Sequence, residues 1–290
     1  MSWKCYYVTY ELKSPLHVGH IRVRYLNRTR YYIPARALWG AVTAMLTQSG
    51  FSHGGGAEGD YESVGNWVRE NLVFSYFFVI LGNELLVPKY TVDGLKYGRM
   101  RLHEFERCCV SSNATTAIDP QVRAAEFGSL HEIEFIAAHA IDGSPLRIGG
   151  WILFSDNAAD AIDDESGWEK YLCNLKVGGE RRYGFGSMQC KSKELCERLM
   201  EYSIHLDDSR PSVTVPAGKP ILAHVPADFG DIFGDIEPIV GRETKKDRTK
   251  ENSSNFGMML TKGQVCWTPG SIVKKNTTFM IAENGIWLPQ

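Results

Sequence analysis

The chain has 290 residues, of which 43% are hydrophobic and 23% are charged, and its formal net charge is −2. This composition is typical of a folded globular protein and excludes an intrinsically disordered or fibrous chain. The longest apolar run covers only residues 72–81, which is too short to cross a bilayer as a helix. The first residues lack a secretory signal, so we expect a cytoplasmic protein with no membrane contact.

The cysteines and the missing motifs restrict the available chemistry. The seven cysteines are odd in number and include no Cys-x-x-Cys pair, so we expect reduced thiols and no disulfide framework. The chain also lacks a His-Glu-x-x-His motif and a phosphate-binding loop ending in Gly-Lys-Ser/Thr. We therefore expect no metal site and no cofactor.

Charge is segregated along the chain. No acidic residue occurs between Glu11 and Glu58, and that window carries six basic residues: Lys13, Arg22, Arg24, Arg28, Arg30 and Arg36. Residues 156–169 hold six acids and no base, a pattern typical of the solvated face of a surface helix. Lys245 and Lys246 begin a third, basic block inside a polar stretch that is predicted to be a loop.

The order of the predicted elements indicates an α+β fold. Residues 3–12 alternate as a strand, and residues 21–30 predict an edge hairpin with Arg22 and Arg24 on one face and Val23 and Tyr25 on the other. Helices are predicted over residues 34–46, 61–71 and the acidic segment to about residue 175. Further strands are predicted over residues 72–81, 129–140, 148–155 and around residues 188–190.

A polar, proline-containing stretch at residues 206–220 predicts a domain boundary or a long crossing segment. We therefore expect an N-terminal domain over residues 1–205 and a smaller, β-rich C-terminal domain over residues 206–290. Short strands are predicted in the second domain over residues 221–225, 257–268 and 277–288.

Two segments point to a polyanion. The first combines Ser-Pro-Leu-His-Val-Gly-His at residues 14–20, the basic hairpin and the predicted helix start at Pro34, where free amides and the helix dipole attract phosphate. The second is Gly-Gly-Glu-Arg-Arg-Tyr-Gly-Phe-Gly at residues 178–186. Its glycines let backbone approach a polyanion, its arginines suit phosphate, and Tyr183 or Phe185 can stack on bases. A hairpin turn and a solvated edge are the simpler interpretations of each segment taken alone.

Together these segments resemble the repeat-associated mysterious protein (RAMP) superfamily of CRISPR systems. The resemblance depends on Ser-Pro-Leu-His-x-Gly at residues 14–19, Ile-Pro-x-x-x-Leu-x-Gly-Ala at residues 33–41 and the glycine-rich loop at residues 178–186. Residues 116–134 are similar to the middle region of the family. The resemblance implies a ferredoxin-like (RRM-like) core with a second, diverged and β-rich ferredoxin-like half.

Residues 240–243 and 267–270 resemble the ends of type III effector subunits that cap the 5′ handle of the guide RNA. The resemblance then implies that the ligand is single-stranded crRNA and that the protein acts in antiviral defence. It also implies a polymerase-like large subunit and backbone RAMP subunits as partners. The predicted RNA-binding residues are His17, His20, Arg22, Arg24, Arg28, Arg30, Arg36, Gly178, Gly179, Arg181, Arg182, Tyr183, Gly184, Phe185, Gly186, Lys245 and Lys246.

One departure from the family bears on cleavage. Backbone subunits that cut target RNA carry an aspartate between the His-x-Gly segment and the Ile-Pro helix, whereas residues 18–32 of this chain contain no Asp or Glu. We therefore predict a subunit that holds RNA without cutting it, with no catalytic residue. An alternative is that this chain is a backbone RAMP subunit of the same complex.

Two further alternatives remain at this point. His20 could move protons in a metal-independent nuclease that processes precursor crRNA, because imidazole titrates near neutral pH. The arginines could instead pair with an acidic neighbouring subunit of a scaffold. Tyr25, Tyr31 and Tyr32 are additional candidates for base stacking.

Overall fold

The computed structural model describes residues 2–51, 60–162, 165–243 and 259–290. The first part of the chain contains, in order, β1 (Trp3–Leu12), β2 (Gly19–Val23), β3 (Leu26–Thr29), β4 (Tyr32–Ile33), α1 (Ala35–Gln48), α2 (Tyr61–Asn71), β5 (Leu72–Phe74), β6 (Phe77–Leu81), β7 (Glu84–Leu85), β8 (Pro88–Thr91), β9 (Gly94–Tyr97), β10 (Met100–Arg101), α3 (Leu102–Cys109), β11 (Val110–Thr115), β12 (Ile118–Asp119), β13 (Ala124–Ala125), β14 (His131–Ile136), β15 (Arg147–Ser155), α4 (Asp156–Ile162), α5 (Glu165–Tyr171), β16 (Asn174–Lys176) and β17 (Ser187–Leu195).

The second part is built from short strands. They are β18 (Arg198–Leu199), β19 (Tyr202–His205), β20 (Ser212–Val215), β21 (Val225–Pro226), β22 (Ile232–Phe233), β23 (Ile236–Ile239), β24 (Arg242–Glu243), β25 (Met259–Leu260), β26 (Gln264–Trp267), β27 (Ile272–Val273), β28 (Thr277–Ile281) and β29 (Trp287–Pro289).

The main sheet has the strand order β16-β17-β1-β15-β6-β4, with β5 also pairing with β15 and β7 with β6. Strand β1 lies between β15 and β17 and is antiparallel to both. The chain leaves β1 through α1 and α2 and returns in β5 and β6 on the far side of β15; it leaves β15 through α4 and α5 and returns in β17 on the far side of β1. The fold is therefore mixed α and β, with helical crossovers that bury one face of the sheet.

A four-stranded sheet, β11-β14-β3-β2, carries the basic hairpin. The structure confirms the predicted hairpin, which consists of β2 and β3. Arg24 and Tyr25 form the turn between the two strands, so the expected alternation of faces stops at Val23. Arg22, Val23, Arg24 and Tyr25 are all exposed. Because no described element covers either face, the whole tip of the hairpin projects into solvent.

The second part forms a five-stranded antiparallel sheet, β18-β19-β20-β28-β29, with smaller strand pairs beside it. No α-helix occurs in the described residues after Tyr171, so this part is rich in β-structure. Strand β19 pairs with β20, so residues on the two sides of the predicted 205/206 boundary share one sheet. One hydrophobic core runs through both parts and includes Val8, Phe154, Val213 and Trp287.

The long predicted elements are confirmed within a few residues, including α1, α2 and the strands at residues 3–12 and 148–155. The predicted strand at residues 72–81 is interrupted at Ser75, whose amide and hydroxyl bond to Trp151 of β15. The acidic segment forms α4 and α5. Helix α3 was not predicted. Among the described residues, no helix has the length and apolar character needed to cross a membrane.

Candidate nucleic-acid interface

The glycine-rich loop and the Ser-Pro-Leu-His segment are hydrogen-bonded neighbours. The amide of Gly179 donates to the carbonyl of His17 at 2.8 Å, and the amide of Gly186 donates to the carbonyl of Pro15 at 2.7 Å. The loop closes on itself through the Val177 amide, which donates to the carbonyl of Gly186 at 2.9 Å. Two of the three motifs are therefore parts of one structure, although about 160 residues separate them in the sequence.

Glycine is required in this loop because backbone passes close to backbone. Gly178 has φ +87°, and a Cβ placed there would lie 2.2 Å from the carbonyl oxygen of His17. Gly186 has φ +80°, and its Cβ would lie 1.9 Å from the carbonyl oxygen of Val177. His17 is itself buried and bonds through Nδ1 to the carbonyl of Glu134 at 2.7 Å. These residues build the loop and position what lies beside it.

A groove of about 820 Å³ runs between the two parts of the protein. Its walls come from the hairpin, the start of α1, the glycine-rich loop and strands of the second part. Six of the predicted residues line it: His20, Arg30, Arg36, Gly178, Gly179 and Arg181. The base of the hairpin, at His20 and Arg30, and the glycine-rich loop therefore line the same groove, a juxtaposition that the proposed RNA track requires.

Nine other predicted residues do not line the groove. His17, Arg22, Arg24, Arg28, Arg182, Tyr183, Gly184, Phe185 and Gly186 lie outside its lining, and Lys245 and Lys246 lie outside the described residues.

Three cations of the groove are suited to phosphate. Lys176, Arg181 and Lys262 are exposed to solvent, and within the described residues no carboxylate pairs with any of them. Helix α1 begins at Ala35, its N-cap residue Pro34 makes no side-chain cap, and its first turn has no acidic residue. Pro34, Arg36 and Ala37 line the groove, so the positive end of the helix dipole lies at this wall. The groove therefore presents positive potential along one side.

A largely buried carboxylate from the second part bonds to the hairpin beside the groove. Glu237 on β23 is only 13% exposed and accepts hydrogen bonds from His20 Nε2 at 2.9 Å, from His224 Nε2 at 2.6 Å and from Arg30 Nη1. The Tyr32 hydroxyl adds a bond to the same carboxylate at 3.1 Å. Glu237 therefore holds residues of both parts at one point.

These contacts change the pKa values of Glu237 and His224. Burial alone would raise the pKa of Glu237, but hydrogen bonds from His20 and His224 and the charge of Arg30 hold it well below its usual value. Burial lowers the pKa of His224, although its bond to Glu237 opposes this change. A neutral His224 donates from Nε2 to Glu237 and accepts at Nδ1 from the hydroxyl of Tyr76 at 2.7 Å.

A second arginine of the hairpin is also paired. Arg28 lies 3.3 Å from Glu134 Oε2 and 3.2 Å from Glu106 Oε1, and it donates to the Tyr31 hydroxyl at 2.8 Å. The charges of Arg28 and Arg30 are therefore neutralised within the protein.

The aromatic candidates differ in how far their side chains are exposed. Tyr183 is 74% exposed and Tyr25 is 59% exposed, so both present a ring face to solvent. Phe185 is half-buried and packs edge-on against Phe135, with ring centroids 5.3 Å apart. Tyr31 and Tyr32 are buried and bond to Glu106 and Glu237, so neither offers a ring face to a base. This corrects the prediction for these two tyrosines.

Sequence reasoning missed Lys176, Lys262, His224 and Glu237. Lys176 ends β16, next to the glycine-rich loop, and could have been included by proximity. The other residues lie in the second part, where no motif marked them. The loop at residues 18–32 has no carboxylate of its own, but the fold supplies Glu237 beside it. Within the described residues, no group of three or more His, Cys, Asp or Glu side chains is placed to hold a metal ion.

Comparison with known proteins agrees with the motifs. The family model of the RAMP superfamily matches residues 9–189, which is more than half of the chain. The chain belongs to the RAMP superfamily. No curated protein matches it.

Solved structures support the fold of this RAMP protein. It is similar to a chain in the cryo-EM structure of the Type III-B Cmr-beta bound to cognate target RNA and AMPPnP, with a TM-score of 0.53 and 13% identity over 93% of this chain and 86% of that chain. A second match, to the Type III-B Cmr-beta bound to cognate target RNA, has a TM-score of 0.50 and 14% identity over 92% and 86% of the two chains. At these identities the likeness concerns the fold alone.

Proposed function

We propose that this RAMP protein is a non-cleaving subunit of a type III CRISPR effector complex and that it holds the 5′ handle of the crRNA. The observation that carries the proposal is the single groove shared by the hairpin, the start of α1 and the glycine-rich loop. Structural similarity to chains of a Cmr-beta complex bound to target RNA supports a place in such an assembly. The strand order of the main sheet and its two helical crossovers favour a ferredoxin-like first half, followed by a diverged β-rich half.

In this proposal the groove recognises a single strand by charge and shape. Lys176, Arg181 and Lys262 contact phosphates, and the backbone at Gly178 and Gly179 lets the strand approach the wall closely. Tyr183 stacks on a base beside the groove, since its ring is exposed next to Arg182.

Residues outside the groove continue the track. Arg22 and Arg24 at the tip of the hairpin, with Arg182, extend the basic surface beyond the groove lining. Lys245 and Lys246 keep the role predicted from sequence, as contacts to RNA or to the polymerase-like subunit. Backbone RAMP subunits complete the predicted set of partners.

Purification from cells that express the neighbouring genes tests the proposal. We expect short RNAs with a common, repeat-derived 5′ end to co-purify with the wild-type chain. The same purification of Lys176→Gln/Arg181→Gln/Lys262→Gln should recover the partner subunits with far less RNA. Recovery of the subunits with no RNA on the wild-type chain would contradict the proposal and favour a scaffold.

A second candidate function rests on His20. This imidazole lies in the groove and bonds to a carboxylate, the arrangement that a metal-independent ribonuclease would need for proton transfer. Cleavage of precursor crRNA by the purified protein, lost in His20→Ala and retained in His17→Ala, would favour the nuclease. RNA binding without cleavage by the wild-type protein favours the proposed holding role.

A further inference from the structure

Two cysteines from distant parts of the chain lie side by side away from the groove. Cys5 is on β1, and Cys196 directly follows β17. The amide of Cys196 donates to the carbonyl of Cys5 at 2.9 Å, and their Sγ atoms are 3.5 Å apart. The strand register pairs Tyr6 with Leu195, so the two cysteines are the next cross-strand neighbours.

This placement is compatible with a disulfide bond. Opposite residues of antiparallel strands have Cα atoms about 4.5–5.5 Å apart, and disulfides accept Cα separations of about 4.4–6.8 Å. An S–S bond is about 2.05 Å long. The two sulfur atoms are 3.5 Å apart and would have to approach each other by about 1.5 Å to form it.

The two thiols differ in reactivity. Cys196 is half-buried in a short link whose neighbours Leu195 and Glu197 are exposed, whereas Cys5 is fully buried. The hydrogen bond to Cys5 and backbone hydrogen bonds at Arg198 and Tyr7 lower the pKa of Cys196, against the effect of burial. The same pairing with Cys196, together with burial, raises the pKa of Cys5. Cys196 is therefore the thiol that meets an oxidant first.

We propose that Cys5 and Cys196 form a redox-active dithiol that hydroperoxides oxidise to an intramolecular disulfide. The Cys196 thiolate attacks a peroxide oxygen, the O–O bond breaks, and with hydrogen peroxide the products are a sulfenic acid and, after protonation, water. The Cys5 sulfur then attacks the sulfenic sulfur; the S–S bond forms, the S–O bond breaks, and the oxygen leaves as a second water with the proton of Cys5. Two thiols and one hydrogen peroxide thus give one disulfide and two waters.

The bond would tie the main sheet to the start of the second part. Cys196 lies between β17 of the first sheet and β18, the first strand of the second sheet. The two cysteines are 191 positions apart, so the cross-link would close most of the chain into one loop. Neither cysteine lines the groove, so this inference stands or falls independently of the proposed function.

Peptide mapping after mild oxidation tests the proposal directly. The intact chain is treated with one equivalent of hydrogen peroxide, alkylated and digested with trypsin. We expect residues 5–13 to be linked to residues 194–198, with the loss of two hydrogen atoms and with release by dithiothreitol. Oxidised protein should unfold at a higher urea concentration than reduced protein, because the long loop restricts the unfolded chain.

Variants assign the order of the two steps. Cys196→Ser should leave Cys5 unoxidised, and Cys5→Ser should accumulate a sulfenic acid on Cys196 that dimedone traps. Cys173→Ser, which removes another half-buried thiol, should cross-link like the wild type. Dimedone adducts or sulfinic acid on Cys196 in the wild-type chain without the cross-linked peptide would overturn the proposal, and so would links to other cysteines. The mapping of the wild-type chain remains decisive if Cys5→Ser does not fold.

Discussion

At the scale of single residues, Glu237 connects the hairpin to the second part of the protein beside the groove. It reaches His20 and Arg30 of the hairpin and His224 of the second part, and it is 13% exposed. A carboxylate with this many charge-assisted bonds leaves several buried donors without a partner when it is removed. It therefore links the two parts of the protein at the wall of the groove.

Glu237→Gln should lower the free energy of unfolding by about 2–4 kcal/mol. The amide keeps the shape of the side chain but loses the charge that Arg30 faces. Glu283→Gln is the control, because Glu283 is exposed and lies 3.7 Å from Arg69, so it should cost at most about 1 kcal/mol. Urea unfolding of the three proteins measures the difference, and equal stabilities of the two variants would contradict this role of Glu237.

Sequence reasoning identified half of this cluster. His20 and Arg30 followed from the basic window and the motif beside it. Glu237 is 217 positions from His20 and belongs to a strand without any motif, so only tertiary packing brings it to the hairpin. For the same reason, Arg28 was predicted as an RNA contact although Glu106 and Glu134 neutralise it in the folded chain.

At the scale of elements, the glycine-rich loop shows how backbone conformation selects sequence. Gly178 and Gly184 both have positive φ, of +87° and +86°. Only Gly178 lies against backbone: a Cβ at this residue would be 2.2 Å from the carbonyl oxygen of His17, whereas a Cβ at Gly184 would meet nothing within 4 Å. Substituting each of these two glycines with alanine therefore distinguishes two free-energy costs. One is the cost of a left-handed backbone conformation, and the other is the cost of a Cβ that collides with the backbone of His17.

Gly178→Ala should destabilise the protein by more than about 3 kcal/mol and should weaken RNA binding, because the loop must move away from His17. Gly184→Ala should cost only about 1–2 kcal/mol, the penalty of a left-handed conformation for a residue with a Cβ. Urea unfolding and RNA titration of the two variants provide the measurement. Similar stabilities would show that contact with His17 does not restrict the loop.

The elements themselves were predictable where local pattern and tertiary environment agree. Helix α1 and strand β1 have clear periodicity and were placed within two residues. Helix α3 was missed because it spans only the eight residues Leu102–Cys109, so about two turns are available in which an apolar period could be recognised. The alternation in the hairpin was recognised, but alternation cannot reveal that no element among the described residues covers Val23 and Tyr25.

At the scale of the whole molecule, acid should destabilise the link between the two parts. The pKa of His224 is lower in the folded protein than the ordinary value of 6.5, so the unfolded chain binds more protons as the pH falls below 6.5. The pKa of Glu237 is also lower than its ordinary value of 4.5, which extends the loss of stability below that pH. The contributions of His224 and Glu237 to the free energy of unfolding are fully present above the pKa values that these groups have in the unfolded chain. They are lost as the pH falls toward the lower pKa values of the folded protein.

We expect the free energy of unfolding to fall continuously between about pH 7 and pH 4, with a shallower fall in Glu237→Gln below about pH 4.5. Urea unfolding at a series of pH values, at constant ionic strength, provides the curves. A wild-type stability that rises toward acid over this range would show that these two groups do not govern the pH dependence.

The salt dependence of RNA binding is the most direct test of the groove. Each neutralised phosphate of a single strand contributes a slope of about −0.7 to log affinity against log salt. Lys176→Gln/Arg181→Gln/Lys262→Gln should therefore lower the magnitude of the slope by about 2, since it removes three cations of the groove. Lys219→Gln/Lys274→Gln/Lys275→Gln removes the same charge from outside the groove lining and should leave the slope nearly unchanged. Equal slopes for the wild type and the groove variant would contradict RNA binding in this groove.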